Sequence, residues 1–160
     1  MEVLVDRHAP SYKAGGPPVL LVDDSPEDSQ AIARALAQVG CFNPVYRFDR
    51  GQDAVDFLTR AGKFARPGVA PRPDVVILDL YLPDMSGLDV LDEIRHHPAL
   101  KGLPVIVVSG STDPDAEREC LEAGADAFLH KPSNPRGMAT ILRNVVHCWM
   151  KKPPASPPTT

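Results

Sequence analysis

The stretch that decides the fold is residues 75–83, VVILDLYLP. Four apolar residues, three of them β-branched, lead directly into Asp79. A continuous apolar run of this length is typical of a strand buried on both faces of a parallel sheet. In open α/β sheets, ligands bind at the carboxyl ends of the strands. The sequence therefore predicts a buried strand over 75–79, with the Asp79 carboxylate at the ligand-binding edge of a sheet.

The composition is that of an ordinary globular protein. The 160 residues are enough for one domain with a full core, and 43% are hydrophobic and 24% charged. The net charge of −4 argues against a nucleic-acid partner. No apolar run approaches the roughly 18 residues of a membrane helix, and no signal peptide is recognisable. The three cysteines match neither a disulfide framework nor a metal motif. The expected location is therefore the cytoplasm, without a membrane partner.

Strands and helices are predicted to alternate along the chain. Apolar runs predict strands at 19–24, 45–48, 75–79, 105–109 and 127–131. Helical spacing and capping residues predict helices over 26–40, 51–62, 87–97, 113–124 and 135–150. The alternation predicts an α/β fold, a flavodoxin-like three-layer sandwich of five βα units with a parallel sheet in the order 2-1-3-4-5.

Three segments lie outside this pattern of strands and helices. Residues 1–18 are predicted to be a flexible arm, and residues 63–73, rich in glycine and proline, a surface loop. Residues 151–160, with four prolines, are predicted to be a disordered tail. The folded domain is therefore expected over 19–150.

Four strand ends are expected to meet at one edge of this sheet. They carry Asp23 and Asp24, Asp79, Ser109 and Lys131. Three carboxylates in one place repel one another, and burying them without compensation is costly. Two groups could compensate their charge: a divalent cation, for which the hard oxygen ligands suggest Mg²⁺, or the Lys131 ammonium. Such a site favours phosphoryl transfer with an aspartate as the nucleophile.

Each of these residues also has an ordinary structural explanation. An aspartate after a strand is commonly a turn former or a helix cap, and Asp23 and Asp24 could support the helix start at Ser25. Ser109 could belong to a turn, and Lys131 could be a solvated strand end. It is the coincidence of four such strand ends that favours one shared site.

With these motifs the chain resembles the receiver domains of response regulators, the phosphoacceptor proteins of two-component signalling. The resemblance covers residues 19 to about 149. It rests on LVDDS at 21–25, LDLYLPDMSG at 78–87, VVSG at 107–110, GADAFL at 124–129 and KP at 131–132.

The resemblance implies a role for each residue of the site. Asp79 would be the phosphoacceptor, which attacks the phosphorus of a phosphohistidine in a sensor histidine kinase. Asp23, Asp24 and Asp79 would hold Mg²⁺ together with the backbone carbonyl of Tyr81. Lys131 would pair with a phosphoryl oxygen. Such a chain promotes its own phosphorylation and dephosphorylation and is not otherwise an enzyme.

The resemblance also implies a switch. Ser109 would move to bond another phosphoryl oxygen, and Phe128 would turn inward behind it. The peptide bond between Lys131 and Pro132 would be cis, which costs an X–Pro bond only about 0.5–1 kcal/mol. Three residues depart from the usual family pattern: Gly110 stands where a small residue, often alanine, is usual, Tyr81 is bulkier than many residues at its position, and Phe128 lacks the hydroxyl of the more usual tyrosine.

A narrower similarity suggests partners. The loop before the third predicted strand, the segment 93–104 and Trp149 are similar to stand-alone receivers paired with phytochrome-type sensor kinases. In such receivers the face formed by the fourth and fifth strands and the last helix often makes a homodimer. We expect signalling by a protein contact rather than by a DNA-binding domain, or else a role as phosphate sink or phosphorelay intermediate.

Two other classes of protein would need motifs that this chain does not have at the end of its first predicted strand. A haloacid-dehalogenase-type phosphatase would need an Asp-x-Asp motif at the end of its first strand, where this chain has the adjacent acids Asp23 and Asp24. A flavodoxin-type redox carrier would need a hydroxyl- and glycine-rich phosphate loop at that place, and the same two acids would repel a phosphate.

Overall fold

The protein is described by a computed structural model of residues 1–4 and 16–150. These residues form six β-strands and five α-helices. The strands are β1 (Glu2–Leu4), β2 (Val19–Val22), β3 (Val45–Phe48), β4 (Val75–Leu78), β5 (Val105–Ser109) and β6 (Ala127–His130). The helices are α1 (Pro26–Gln38), α2 (Gly51–Thr59), α3 (Gly87–His96), α4 (Pro114–Glu122) and α5 (Pro135–Trp149). None of these helices is long and apolar enough to cross a membrane.

The strands form one sheet in the order β1-β3-β2-β4-β5-β6. From β3 to β6 all neighbours are parallel, so the predicted order of the five βα units is confirmed. Helices α1 and α5 pack on one face of the sheet, and α2, α3 and α4 pack on the other. Every residue of β2 and β4 is buried, as expected for strands covered on both faces. The flavodoxin-like three-layer α/β fold is confirmed.

The sheet has one strand more than the sequence predicts. Residues 2–4, part of the predicted arm, pair antiparallel with β3. Leu4 is buried, and the Glu2 carboxylate lies 2.9 Å from a guanidinium nitrogen of Arg47 in β3. This short strand covers the edge that β3 would otherwise leave open. The rest of the predicted arm from 5 to 15 and the predicted tail, 151–160, lie outside the described residues.

Part of the connection between α2 and β4 is a buried turn, whereas the sequence predicts a surface loop. Helix α2 ends at Thr59, before the predicted Gly62, and Arg60 adopts the left-handed conformation with φ 56°. The next residues form a 3₁₀ turn over Gly62–Phe64. This turn inserts the Phe64 ring into the core, with its centroid 5.3 Å from that of Phe57. The prediction missed this because one aromatic residue among glycines and prolines shows no periodicity.

Gly87 brings the start of α3 against the end of β4. A Cβ atom at this position would lie 2.3 Å from the carbonyl oxygen of Asp79 and 2.8 Å from the Cα of Leu80. The Gly87 N–H donates to the carbonyl oxygen of Leu80 at 2.8 Å. The absence of a side chain therefore sets the course of the backbone directly after Asp79.

Candidate functional site

The carboxyl edge of the parallel strands carries the candidate site. Asp23 and Asp24 follow β2, Asp79 follows β4, Ser109 ends β5, and Lys131 follows β6. Strands β2, β4, β5 and β6 are consecutive neighbours, so their ends bring these side chains to one edge. Helix α1 begins soon after β2, because Ser25 caps it. The Ser25 hydroxyl accepts the N–H of Asp28 at 3.2 Å.

Three carboxylates at this edge are close enough to bind one cation. One carboxylate oxygen from each of Asp23, Asp24 and Asp79 lies within 4.8 Å of the others. Asp23 and Asp79 are buried, with 1% and 7% of their surface exposed, whereas Asp24 is exposed. Carboxylate oxygens with one side open to water are the ligands that suit Mg²⁺. The residues present therefore fit a hard divalent cation.

Lys131 places its ammonium among three carboxylates. Its Nζ lies 2.8 Å from Oδ2 of Asp28, 3.0 Å from Oδ2 of Asp23 and 3.3 Å from Oδ2 of Asp79. Burial alone would lower the pKa of Lys131, but the bond to Asp28 and the charges of Asp23 and Asp79 raise it above its usual value. The lysine is therefore a permanent cation at neutral pH.

One ammonium does not compensate this much negative charge. Burial raises the pKa of Asp23, and it outweighs both the hydrogen bond from the Ser25 N–H at 2.9 Å and the attraction of Lys131, which lower it. The nearby Asp79 carboxylate raises the same pKa further. Counted over the described residues, the site therefore has a surplus of negative charge, which favours a further cation.

The two predicted switch residues lie on the neighbouring strands. Ser109 is fully buried, and its hydroxyl oxygen accepts the N–H of Ser111 at 3.1 Å. Phe128 is already turned inward with 8% of its surface exposed, and its ring centroid lies 5.2 Å from that of His130. A Cβ at Gly110 would meet nothing within 4 Å, so Gly110 borders open space.

The expected cis bond between Lys131 and Pro132 is a wrong prediction. No peptide bond between described residues is cis. The trans form is the lower in energy for an X–Pro bond, by about 0.5–1 kcal/mol. In this conformation the Lys131 N–H still donates to the carbonyl oxygen of Ser109 at 2.8 Å, so the lysine is anchored to β5 without a cis bond.

The contacts of three further residues were not predicted from the sequence. Asp28 in the first turn of α1 is the nearest partner of the Lys131 ammonium. Arg47 donates from Nε to the carbonyl oxygen of Asp23 at 3.2 Å. Asp84 accepts the N–H groups of Gly51 and Gln52 at 2.8 and 2.9 Å.

Of these three residues, Asp84 had a usable signal in the sequence. Helix α2 has Arg50 at its N-cap, and this residue makes no side-chain cap. A helix start without a local acceptor requires one from elsewhere. The contacts of Asp28 and Arg47 depend on tertiary packing and left no trace in the spacing of residues.

The family model of the response regulator receiver domain matches residues 19–143. This is most of the chain, and it contains all the residues of the site. The chain belongs to the response regulator receiver domain family, and the resemblance drawn from its motifs is confirmed.

Individual relatives agree with this family. Response regulator Rcp1 of Synechocystis sp. is 30% identical over 133 residues, which are 83% of this chain and 88% of that protein. A probable cyclic di-GMP phosphodiesterase of Vibrio cholerae is 35% identical over 134 residues, 83% of this chain. Because these are only 26% of that protein, the chain spans about a quarter of this relative's length.

Solved structures extend the comparison to three dimensions. The Mn²⁺-bound form of response regulator Rcp1 has a TM-score of 0.76 at 28% identity, covering 90% of this chain and 100% of that one. The phosphorylated cyanobacterial phytochrome response regulator RcpA also has a TM-score of 0.76, at 30% identity, covering 84% of this chain and 94% of that one. The chain thus has the same fold as these regulators and matches nearly the whole length of their chains.

Proposed function

We propose that this chain accepts a phosphoryl group on Asp79 from the phosphohistidine of a sensor histidine kinase and passes the signal on by a protein contact. The proposal rests on the charged groups that lie next to the Asp79 carboxylate. Its carboxylate lies 3.3 Å from the Lys131 ammonium and within 4.8 Å of the carboxylate oxygens of Asp23 and Asp24. A nucleophile beside a cation and a cation-binding group is what phosphoryl transfer requires.

In the proposed reaction a carboxylate oxygen of Asp79 forms a bond to phosphorus. The P–N bond of the phosphohistidine breaks, and its electron pair returns to the imidazole nitrogen. The Lys131 ammonium donates to one phosphoryl oxygen, and the Ser109 hydroxyl turns from Ser111 to donate to another. Hydrolysis of the acyl phosphate by water then resets the chain, and the open space beside Gly110 admits that water.

We propose that Mg²⁺ is the cation of this site. Asp23, Asp24 and Asp79 would hold it, together with the backbone carbonyl of Tyr81. When bound, it neutralises charge on the phosphoryl oxygens. The Mn²⁺-bound form of Rcp1 supports a divalent cation in a related protein, and the carboxylate ligands here suit the harder Mg²⁺.

The partners we propose follow from the relatives. RcpA is described as a phytochrome response regulator, so a phytochrome-type histidine kinase in the cytoplasm is the proposed phosphoryl donor. For the output we propose a homodimer or another protein contact through the face of β5, β6 and α5, remodelled when Ser109 and Phe128 respond to phosphorylation. A phosphate sink or relay intermediate is the second candidate function, favoured by the open space beside Gly110.

Labelling by acetyl phosphate tests the acceptor. With Mg²⁺, intact-mass spectrometry of the wild type should show one added phosphoryl group, and Asp79→Asn should show none. Asp92→Asn, an exposed acid on α3, is the matched control and should label like the wild type. Full labelling of Asp79→Asn, or an unlabelled wild type, would contradict the proposal.

A second measurement separates a switch from a phosphate sink. Beryllofluoride, which stands in for the phosphoryl group, should change the oligomeric state or the affinity for the kinase. If it binds and changes neither, the chain is a phosphate sink.

A further inference from the structure

Lys131 has a partner that is not one of the three acids of the proposed metal site. Its ammonium lies closer to Asp28, at 2.8 Å, than to Asp23 at 3.0 Å or Asp79 at 3.3 Å. Asp28 comes from the first turn of α1, where its N–H is held by the hydroxyl of Ser25 at 3.2 Å. The lysine is therefore drawn towards α1 and stands farthest from the proposed phosphoacceptor.

The three carboxylates differ in how easily they can lose the lysine. The side chains of Asp23 and Asp79 are 2% and 9% exposed, whereas that of Asp28 is 43% exposed. A buried carboxylate that loses its cation pays a desolvation penalty, whereas an exposed one is solvated by water at little cost. Asp28 is therefore the partner that Lys131 can leave most easily.

A lysine ammonium has three N–H donors, and in this structure each has a carboxylate acceptor. When Asp79 is phosphorylated, its carboxylate becomes part of the acyl phosphate, and the phosphoryl oxygens then compete with Asp23 and Asp28 for the ammonium. The exposed bond to Asp28 is the one that breaks at the lowest cost.

We propose that Asp28 is a positioning residue, which holds Lys131 in the unphosphorylated arrangement and competes with the phosphoryl group for its ammonium. The inference rests on the proposed function, because it assigns a resting partner to the lysine of that site. Asp28 thereby lowers the occupancy of the phosphorylated state and eases the return to the resting state.

The test is a titration of the full chain with beryllofluoride in the presence of Mg²⁺, followed by NMR. In Asp28→Asn, which keeps the shape but removes the charge, the half-saturating concentration should fall about two- to fivefold, the range expected for a half-exposed ion pair. Asp28→Ser is a second variant and should shift in the same direction. The phosphorylated fraction at a fixed acetyl phosphate concentration should rise with it.

Glu27→Gln is the matched control. It removes one negative charge from the same first turn of α1, where Glu27 is exposed, and no ion pair is found between Glu27 and Lys131 among the described residues. It should titrate like the wild type. A general reduction of negative charge near the site would instead shift both variants equally, and that outcome would overturn the proposal.

A double variant tests whether the effect acts through the lysine. In a Lys131→Met background, Asp28→Asn should leave the half-saturating concentration unchanged. A shift there as large as in the Lys131 background, or an increase in the single variant, would overturn the inference while leaving the proposed acceptor intact. A wild type that binds no beryllofluoride would instead overturn the proposed function and this inference with it.

Discussion

Two ionic clusters lie at opposite ends of the parallel strands, and they differ in charge balance. At the amino ends of β5 and β6, Arg95 and Asp126 form a one-to-one pair at 3.0 Å. The guanidinium also donates to the carbonyl oxygens of Gly124 and Leu103, both at 2.8 Å. The Asp126 carboxylate accepts the N–H of Val105 at 2.8 Å. Each charge of this cluster is matched within the chain.

At the carboxyl ends, one ammonium serves several acids. Lys131 contacts Asp23, Asp28 and Asp79, and Asp24 is close to two of them. The two ends of the sheet therefore use charge in two different ways. A balanced pair with satisfied donors holds strand ends in register, whereas an excess of one sign leaves the cluster able to bind a cation and a reactive group.

The largest difference between the clusters should appear when each loses its cation. Lys131→Met leaves the buried Asp23 carboxylate without its ammonium, so without divalent cations the free energy of unfolding should fall by about 3 kcal/mol. Saturating Mg²⁺ should restore much of this loss. Denaturant unfolding with Mg²⁺ and with a chelator measures both quantities, and an equal loss in the two conditions would contradict the charge-surplus interpretation.

The same variant should show a defined pH dependence. Burial holds the pKa of Asp23 above its usual value of 3.8, so the folded state binds a proton there more readily than the unfolded state does. Protonation therefore removes the destabilising charge of Asp23 as the pH falls through the pKa that this group has in the folded state. The stability gap between Lys131→Met and the wild type should therefore narrow on acidification.

Arg95→Ala should cost somewhat less and should not respond to Mg²⁺. It removes donors from three backbone carbonyls and the partner of Asp126, for which we expect a loss of about 2 kcal/mol. Arg118→Ala, which breaks an exposed pair with Asp115 at 3.1 Å, is the matched control, with an expected loss below about 1 kcal/mol. Rescue of Arg95→Ala by Mg²⁺ would remove the distinction between the two clusters.

The smallest effect is expected at Asp84, which caps α2 from another part of the chain. Burial alone would raise its pKa, but the N–H groups of Gln52 and Gly51 lower it below 3.8. Asp84→Asn keeps one acceptor oxygen but removes the charge at the start of α2, and should lower the free energy of unfolding at neutral pH by about 0.3–1 kcal/mol. The stability difference between this variant and the wild type should persist above pH 3.8. It should vanish as the pH falls through the lowered pKa that Asp84 has in the folded state. A constant difference down to low pH would show that the carboxylate charge is not involved.

The acid cluster could be predicted from the sequence because it follows from strand ends. Each apolar run passes directly into a polar residue, and parallel strands bring their carboxyl ends to one edge, so Asp23, Asp79 and Lys131 had to meet. The helix starts at Pro26, Pro114 and Pro135 were equally local signals, and the structure has them as first helical residues.

What could not be predicted depends on contacts between distant parts of the chain. The pair of Lys131 and Asp28 spans 103 positions, and the bond of Arg47 to the carbonyl oxygen of Asp23 spans 24. The extra strand β1 has only three residues, too few for a periodic pattern, and it forms because the edge of β3 accepts it.

The claim that the carboxyl-edge acids form a cation site is tested most directly by thermal unfolding over a range of Mg²⁺ concentrations. In the wild type the midpoint should rise and follow a single-site binding curve, because a ligand that binds only the folded state stabilises it. Asp24→Ala should need roughly tenfold more Mg²⁺ for the same rise. A wild type that shows no rise, or an Asp24→Ala curve identical to that of the wild type, would contradict the claim.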